Sequence, residues 1–265
     1  MIDIDTGKIE EIIRHVAATV VMPRFNNLLK SEIREKGPGD FVTVADEESE
    51  RLFTKLLEET LPGSLVVGEE AVSKDLSVLH KLKGNQPVWV IDPIDGTYNF
   101  SHGSKRFGIL ISLVQNGATL YGWAFDVPGN RMAAAQRGAG TFLDGRRMKV
   151  ACEATELKQL VGRGGGKYGV SPFFKEMVNQ RCALHDYMDF ITGAANFIVH
   201  VPKVTPWDHG ATNLLATEAG GYVAMNQIDT PYDPTLLGPA FLLVAPDKEW
   251  WRKLYPVLHP KTHNI

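Results

Sequence analysis

Residues 107–150 carry the pattern that most restricts the fold, because four apolar runs follow one another with turn signals between them. The runs read FGILISLVQNG, ATLYGWAFDVPGN, RMAAAQRGAGTFLDG and RRMKV. The chain breaks at Asn116-Gly117, Pro128-Gly129-Asn130 and Asp144-Gly145, and residues of these types favour the tight turns of hairpins. The sequence therefore predicts an antiparallel meander of strands in this segment.

Helical patterns lie on both sides of the meander. Residues 8–29 place their apolar side chains mostly on one face of a helix. A second helix is predicted from about Ala45 to Pro62-Gly63, with Thr43 and Asp46 as its capping box. After the meander, the predicted elements are helices at 171–180 and 208–219, a strand at FLLVAP and a terminal helix at DKEWWRKLYPVL. This order predicts a layered α+β fold rather than a simple βαβ series.

Length and composition narrow the class of protein. We expect the 265 residues to form a single domain over 1–265, with an α+β half to about residue 150 and an α/β half over 151–265. The net charge of −3 argues against a nucleic-acid partner. With two cysteines and no signal-peptide pattern, and no apolar run near the roughly 18 residues of a membrane helix, we expect a cytoplasmic protein with no membrane partner.

Acidic residues follow several of the apolar runs. Glu69-Glu70 comes after SLVVG, Asp92 and Asp95 come after VWVI, and Asp208 follows Pro206-Trp207. Taken singly, each acid is an ordinary turn residue at the surface.

The hexapeptide DPIDGT, which runs from Asp92 to Thr97, is more informative than the isolated acids. Its proline favours an extended Asp92, and Asp95-Gly96 supplies a sharp turn, so the two carboxylates and the Ile94 carbonyl can converge. Hard oxygen ligands of this kind suit Mg²⁺, which shares its coordination sphere with water and substrate phosphate. If a helix begins at Gly96-Thr97, its free N–H groups offer a place for phosphate beside the ion.

These motifs resemble those of the inositol monophosphatase family of Mg²⁺-dependent, lithium-sensitive phosphatases. Three blocks occur in the family's order, namely Gly68-Glu69-Glu70, the segment WVIDPIDGT that ends at Thr97, and Pro206-Trp207-Asp208 leading into TEAGG. The resemblance implies a layered α-β-α-β-α sandwich of the sugar phosphatase type, assembled as a homodimer. It also implies hydrolysis of a small phosphomonoester by a metal-activated water.

The resemblance assigns metal ligands residue by residue. Glu69, Asp92 and the Ile94 carbonyl would hold one ion, and Asp92, Asp95 and Asp208 would hold another, with about two to three Mg²⁺ in the site. The four carboxylates and a substrate phosphate would repel one another strongly without cations. We therefore expect metal and substrate to bind cooperatively.

The resemblance also implies catalytic and phosphate-binding residues. Asp46, Glu69 and Thr97 are the predicted catalytic residues, with Asp46 and the Thr97 hydroxyl orienting the attacking water, and the N–H groups of Gly96 and Thr97 would bind phosphate. Two alternatives stay open from the residues alone. Asp46 can be a purely structural cap of its helix, and Lys36 can either approach phosphate or be a solvated loop lysine.

The substrate is less constrained than the chemistry. Inositol-specific members carry an acid several positions before the Trp-Asp pair, whereas the stretch Ile198–Thr205 contains none here. Arg181-Cys182-Ala183 stands where the family has a segment of small residues. The predicted substrate-binding residues are Asp95, His185, Asp186, Tyr187 and His200.

Several functions are compatible with this pocket. Inositol 1-phosphate, or another phosphorylated polyol or sugar, is the first candidate. The same chemistry on fructose 1,6-bisphosphate, 3′-phosphoadenosine 5′-phosphate or histidinol phosphate is an alternative. A dimeric regulatory or binding protein with residual phosphatase activity is an alternative of another class.

Two further motifs are weak. Gly164–Gly169 satisfies G-x-G-x-x-G, but only Leu160-Val161 precedes it as an apolar stretch, so we interpret it as a flexible loop near the substrate. His185, His200 and His209 have spacings that fit no compact zinc site, and we interpret them as core or supporting residues.

Overall fold

The computed structural model describes residues 2–164, 172–236 and 238–259. Its α-helices are α1 (Thr6–Val16), α2 (Met22–Arg24), α3 (Val44–Thr60), α4 (Glu69–Lys74), α5 (Thr97–Ser101), α6 (Ala183–Thr192), α7 (Pro206–Glu218) and α8 (Lys248–Leu258). A π-helical stretch covers Ala17–Val21, and 3₁₀ turns cover Lys30–Glu32, Leu76–Lys83 and Leu157–Gln159. No helix in these ranges is both long and apolar enough to cross a bilayer.

The strands form two sheets and one hairpin. They are β1 (Ile33–Gly37), β2 (Asp40–Thr43), β3 (Leu65–Gly68), β4 (Val88–Asp95), β5 (Gly108–Gln115), β6 (Ala118–Asp126), β7 (Arg131–Gln136), β8 (Gly140–Leu143), β9 (Arg146–Met148), β10 (Val161–Gly164), β11 (Glu176–Val178), β12 (Phe197–His200), β13 (Tyr222–Met225) and β14 (Leu242–Ala245). The large sheet has the order β3-β4-β5-β6-β7-β8-β9, the small sheet has the order β11-β10-β12-β14-β13, and β1 pairs with β2.

The predicted meander is confirmed. Strands β5 to β9 pair antiparallel with their neighbours in sequence. Asn116, Asn130 and Asp144 have positive φ angles of 52°, 51° and 49°, as the tight connections require.

Five layers alternate through the molecule. The helices α1 and α3 pack on the outer face of the large sheet, around Ile13, Phe53 and Trp89. The helices α6 and α7 lie between the two sheets, and α8 covers the outer face of the small sheet with Trp251 and Leu254. This arrangement confirms the predicted α-β-α-β-α sandwich.

The predicted helix at 171–180 is wrong over its described part, because Glu176–Val178 is the strand β11. Residues 165–171, which include most of the G-x-G-x-x-G motif, lie outside the described residues. The N–H groups of Lys175 and Glu176 donate to the Leu160 carbonyl, and β11 then pairs parallel to β10. Hydrogen bonding to the free edge of β10 therefore stabilises this segment as a strand, despite its local helical pattern.

The first helix differs from the prediction in its length and its regularity. It begins at Thr6, and the helical path ends at Arg24 rather than at residue 29. In the π-helical stretch, the Met22 N–H donates to the Ala17 carbonyl, five residues back. We attribute this wider turn to Pro23, which has no N–H to donate to the preceding turn. The second predicted helix is confirmed as α3, with Thr43 at its N-cap.

The division near residue 150 stays a prediction. The large sheet ends with β9 at Met148, and the small sheet begins with β10 at Val161. The middle helices α6 and α7 contact strands of both sheets.

Helix α7 approaches the large sheet closely enough to require glycine. A Cβ atom on Gly122 of β6 would lie 2.8 Å from the Cα atom of Ala211 in α7. A Cβ atom on Gly210 would lie 2.7 Å from the Ser112 hydroxyl of β5. Because the backbone of Ala211 cannot move aside as a flexible side chain can, Gly122 in particular determines how closely α7 lies against the sheet.

We expect Gly122→Ala to lower the free energy of unfolding by about 1–3 kcal/mol, because the added methyl overpacks the contact with Ala211. Urea unfolding followed by circular dichroism measures this change. Gly84→Ala is the matched control, since its Cβ would meet only the Lys81 carbonyl at 3.5 Å. Equal stability of the two variants would contradict the close packing of α7.

Candidate functional site

The parallel pairing of β3 and β4 brings two acids to one edge of the large sheet. Gly68 is in register with Ile91, so the next residues, Glu69 and Asp92, leave the two strands side by side. Glu69 is the first residue of α4. The start of α4 is fixed by Glu50 of α3, whose carboxylate accepts from the N–H groups of residues 70 and 71 at 2.7 and 2.8 Å.

An irregularity in β4 turns Asp92 and Asp95 towards the same place. Asp92 pairs with Leu110 and Asp95 pairs with Gly108, so β4 has one residue more than β5 in this interval. In a regular strand, residues three apart point to opposite faces, and one extra residue reverses the alternation. The Ile94 N–H donates to Asp92 Oδ1 at 3.1 Å and holds that carboxylate in place.

Asp208 joins these acids from the first turn of α7. One carboxylate oxygen from each of Asp92, Asp95 and Asp208 lies within 4.8 Å of the other two. The Thr205 hydroxyl donates to Asp208 at 2.5 Å. The N–H groups of Ala183 and Leu184, at the start of α6, donate to Asp95. The donor set consists of carboxylate oxygens, which suits a hard divalent cation.

Burial and mutual repulsion shift the pKa values of this cluster upwards. Burial, followed by the charges of Glu69 and Asp95, raises the pKa of Asp92 well above its usual range. Burial, followed by the charge of Asp208, raises the pKa of Asp95 to about 6. Burial also raises the pKa of Glu69 to about 8, although the charge of Lys36 opposes this shift. The cluster is therefore unfavourable without positive charge.

Lys36 supplies one such charge. Its Nζ lies 2.9 Å from Glu69 Oε1 and 3.0 Å from Glu70 Oε1, and its side chain is 17% exposed. Burial is the largest single effect and disfavours the ammonium form, but the charges and hydrogen bonds of Glu69 and Glu70 together outweigh it and raise the pKa of Lys36. The interpretation of Lys36 as a solvated loop lysine is therefore wrong. A cation already sits against Glu69, as expected for a site that accepts metal ions.

Asp46 caps its helix and also contacts Thr97, and its catalytic role stays a prediction. Its Oδ2 accepts from the Thr43 N–H and hydroxyl at 2.8 and 2.6 Å, as a helix cap requires. Its Oδ1 lies 3.0 Å from the Thr97 hydroxyl, which is also 2.9 Å from the Ile94 carbonyl. Burial raises the pKa of Asp46 to about 7, against the hydrogen bonds from Thr43.

The turn after Asp95 exposes backbone donors. Gly96 has φ +86°, and a Cβ there would lie 2.7 Å from the Arg106 carbonyl, so this position requires glycine. Thr97 then begins α5. Within the described chain, the N–H groups of Gly96 and Thr97 make no hydrogen bond to protein, and both residues line the cavity that contains the acids.

Two cavities meet at the acids. The first, of about 480 Å³, contains Glu69, Asp92, Thr97 and the Ile94 position. The second, of about 180 Å³, lies between α6 and β12 and is lined by Asp186, His200 and His209 among others. Both cavities are lined by Asp95, Asn179, Arg181, Lys203 and Asp208.

The predicted substrate-binding residues separate into two groups. Asp95, Asp186 and His200 line the second cavity. The other two do not line either cavity. The His185 imidazole lies 3.1 Å from the Cys182 thiol and 3.6 Å from Asp126 Oδ1, and the buried Tyr187 hydroxyl donates to Asn213.

The second cavity has buried polar atoms in its wall. Asp186 Oδ1, His200 Nε2 and His209 Nδ1 are buried and have no hydrogen-bond partner among the described residues. Burial lowers the pKa values of both histidines to about 3, so their rings are neutral. Burial raises the pKa of Asp186 well above its usual range. These atoms can therefore pair with hydroxyl groups that enter the cavity.

Arg181 and Lys203 line the site, but sequence reasoning did not identify them as functional residues. Both lie in irregular segments, between β11 and α6 and between β12 and α7, where no periodic pattern marks a residue. The signal that could have found them is their positive charge in the two stretches, 181–183 and 198–205, where the sequence departs from the pattern that it resembles.

Comparison with known proteins agrees with this geometry. The family model described as the inositol monophosphatase family matches residues 6–261. The inositol-1-monophosphatase of Bacillus subtilis is 30% identical over 200 residues, which cover 71% of this chain and 73% of that protein. Inositol monophosphatase 1 of Sus scrofa is 29% identical over 223 residues, covering 77% and 79%. The Vibrio cholerae protein named Nus factor SuhB is 29% identical over 219 residues, covering 78% and 80%.

Solved structures with similar folds include an IMPase of Thermotoga maritima, with a TM-score of 0.76, 24% identity and coverage of 91% of this chain and 92% of that one. The suhB protein of Bartonella henselae has a TM-score of 0.78 at 20% identity, covering 96% and 98%. The match of the family model over nearly the whole chain, together with the relatives, shows that this protein belongs to the inositol monophosphatase family.

Proposed function

We propose that this protein is a Mg²⁺-dependent phosphatase that hydrolyses a small phosphorylated polyol or sugar. Phosphomonoester hydrolysis is the activity that family membership supports. The observation that carries the proposal is the convergence of Asp92, Asp95 and Asp208 beside the unpaired N–H groups of Gly96 and Thr97. The groups that would bind cations and the groups that would bind phosphate therefore line one cavity.

The residues present fit the proposed ions. Glu69, Asp92 and the Ile94 carbonyl would hold one ion, and Asp92, Asp95 and Asp208 would hold a second. About two to three Mg²⁺ would neutralise the carboxylates, lower the pKa of the attacking water and stabilise the leaving oxygen. The contact of Lys36 with Glu69 supports this fit, because it shows that Glu69 takes a cation at hydrogen-bond distance.

The protein's own groups would position the reactants. The N–H groups of Gly96 and Thr97 donate to phosphate oxygens and orient the phosphorus. When the Thr97 hydroxyl donates to Asp46, its oxygen keeps lone pairs that accept a hydrogen bond from the attacking water. As the water loses a proton to Thr97, the hydroxyl proton of Thr97 would pass to the Asp46 carboxylate. Because Asp46 is also held by Thr43, the orientation of this pair is fixed before the substrate binds.

The second cavity would receive the leaving group. The unpaired atoms of Asp186, His200 and His209 suit the hydroxyl groups of a polyol or sugar. Inositol 1-phosphate is the single substrate that the resemblance favours. We also propose the homodimer from that resemblance, and light scattering during gel filtration measures it directly.

Phosphate release with and without Mg²⁺ tests the proposed function. The substrates are inositol 1-phosphate, fructose 1,6-bisphosphate, 3′-phosphoadenosine 5′-phosphate and histidinol phosphate. We expect turnover on at least one of them that depends on Mg²⁺. If none of the four substrates is hydrolysed and Mg²⁺ does not bind, the regulatory alternative is favoured instead. The name of the Vibrio relative, Nus factor SuhB, also suggests that alternative.

We expect Asp92→Asn to reduce turnover by more than about a hundredfold, because even residues that merely support metal ligands contribute about 10–100-fold. Wild-type protein should melt roughly 5–10 °C higher at Mg²⁺ concentrations about 100 times the dissociation constant. The variant should lose this increase while it remains folded without metal, since the substitution removes one repelling charge. Near-normal turnover, or an unchanged Mg²⁺-dependent melting temperature, would refute the assignment of Asp92.

We expect Thr97→Ala to lower kcat by about 10²–10⁴-fold, as is typical for the loss of proton transfer, with a smaller change in KM. Thr97→Ser keeps the hydroxyl near Asp46 and should recover most of the rate. Steady-state kinetics on the best substrate measures both variants. If serine and alanine are equally impaired, the hydroxyl is not part of the mechanism.

A further inference from the structure

Two basic side chains stand where the two cavities of the site meet. Arg181 and Lys203 each line both the cavity that contains the acids and the smaller cavity proposed for the leaving group. Arg181 and Lys203 are the arginine and lysine side chains that line these two cavities within the described residues.

The backbone holds Arg181 in a defined position. Its φ angle is +54°, and Asn99 of α5 donates to the carbonyls of Gln180 and Arg181 at 2.9 and 3.2 Å. This contact ties the residue to the turn that begins at Gly96. The guanidinium carbon lies 4.0 Å from the centre of the Tyr98 ring, so the aromatic face supports the charged group.

The donors of Arg181 are not used by the protein. Across residues 2–164, 172–236 and 238–259, its guanidinium makes no hydrogen bond and no ion pair. A guanidinium has five N–H donors in a planar arrangement that matches phosphate and carboxylate groups. Stacking on Tyr98 leaves the edge of that plane available to such a group.

Lys203 is placed differently but reaches the same region. Its Nζ lies 3.2 Å from Asp40 Oδ2, and its side chain is 60% exposed. Burial opposes the charge of Lys203, but the charges of Asp40 and Asp208 outweigh it and raise the pKa. An ammonium has three donors, so one contact with Asp40 leaves capacity for a ligand.

A neutral polyol does not require these charges. Hydroxyl groups can pair with the buried polar atoms of Asp186, His200 and His209, which lack partners within the described residues, whereas two cations in the wall favour a negative group.

Resting on the proposed phosphatase function, we propose that the leaving group of the substrate carries a second anionic group, either a phosphate or a carboxylate, that Arg181 and Lys203 bind. Water attacks the first phosphorus, the bond from that phosphorus to the leaving oxygen breaks, and this oxygen takes a proton. The products are inorganic phosphate and an alcohol that retains its anionic group. The retained group undergoes no chemistry.

Matched substrate pairs test this proposal. Fructose 1,6-bisphosphate against fructose 1-phosphate isolates a second phosphate, and 2-phosphoglycerate against glycerol 2-phosphate isolates a carboxylate. In one of the two pairs, we expect kcat/KM to be at least about tenfold higher for the substrate with the extra anion. The reason is that this anion gains contacts with two partly exposed positive charges. The pair that shows the preference identifies the anion.

Variants of the two cations locate the effect. Arg181→Gln with Lys203→Gln should reduce the preference to within about threefold, because kcat/KM should fall more for the substrate with the extra anion than for its matched partner. Arg181→Lys should retain part of the preference, because it keeps the charge without the planar donors. Lys105→Gln is the matched control, because it also removes one exposed positive charge but lines neither cavity.

A binding measurement gives a readout without turnover. In Mg²⁺ and saturating inorganic phosphate, calorimetry should show tighter binding of fructose 6-phosphate than of fructose to the wild type, and equal binding to the double variant. Raising the salt concentration should weaken the difference.

Two results would overturn the proposal while leaving the phosphatase function intact. One is equal kcat/KM within both substrate pairs, with Mg²⁺-dependent turnover that Asp92→Asn abolishes. The other is an equal loss on neutral and anionic substrates in the double variant, which would show that these cations serve the acidic cluster instead. Absence of Mg²⁺-dependent turnover on every substrate would be a failure of the proposed function itself.

Discussion

Negative charge buried at the ends of strands is the constraint on which the site depends. Asp92 and Asp95 are 1% and 5% exposed, and their pKa values are raised by burial and by the neighbouring acids. A domain stabilised by about 5–15 kcal/mol cannot easily hold several uncompensated buried charges. Bound cations would therefore stabilise the cluster, and the proposed substrate phosphate would be acceptable beside four acids only together with them.

The backbone brings these acids together before any ligand binds. The parallel register of β3 and β4 places Glu69 beside Asp92, and the extra residue in β4 turns Asp95 to the same side. The close packing of α7 against the large sheet places Asp208 next to them. None of these features depends on a flexible loop. Because secondary-structure elements fix the relative positions, the cost of orienting the ligands is met during folding rather than during binding.

Much of the fold and of the acidic cluster could be predicted from the sequence, because both depend on local signals. The meander follows from turn residues with positive φ, and the acids follow strands whose apolar runs are visible in the sequence. The strand β11 could not be predicted, since it forms by pairing with the free edge of β10. The contact of Lys36 with Glu69 and Glu70 also depends on how the β1–β2 hairpin lies over α4, which no local pattern encodes.

The residues proposed for hydrolysis and those proposed for substrate choice lie on different parts of the fold. The acids, Gly96 and Thr97 stand at the ends of strands and helices, where any displacement would disturb buried packing. Arg181 and Lys203 lie in connecting segments at the rim, where side chains can change at little cost to stability. Substitutions at the wall of the second cavity could therefore change its charge while the proposed metal ligands are retained. Membership in the family restricts the type of reaction, whereas the residues proposed to select the substrate lie in segments with a weak sequence signal.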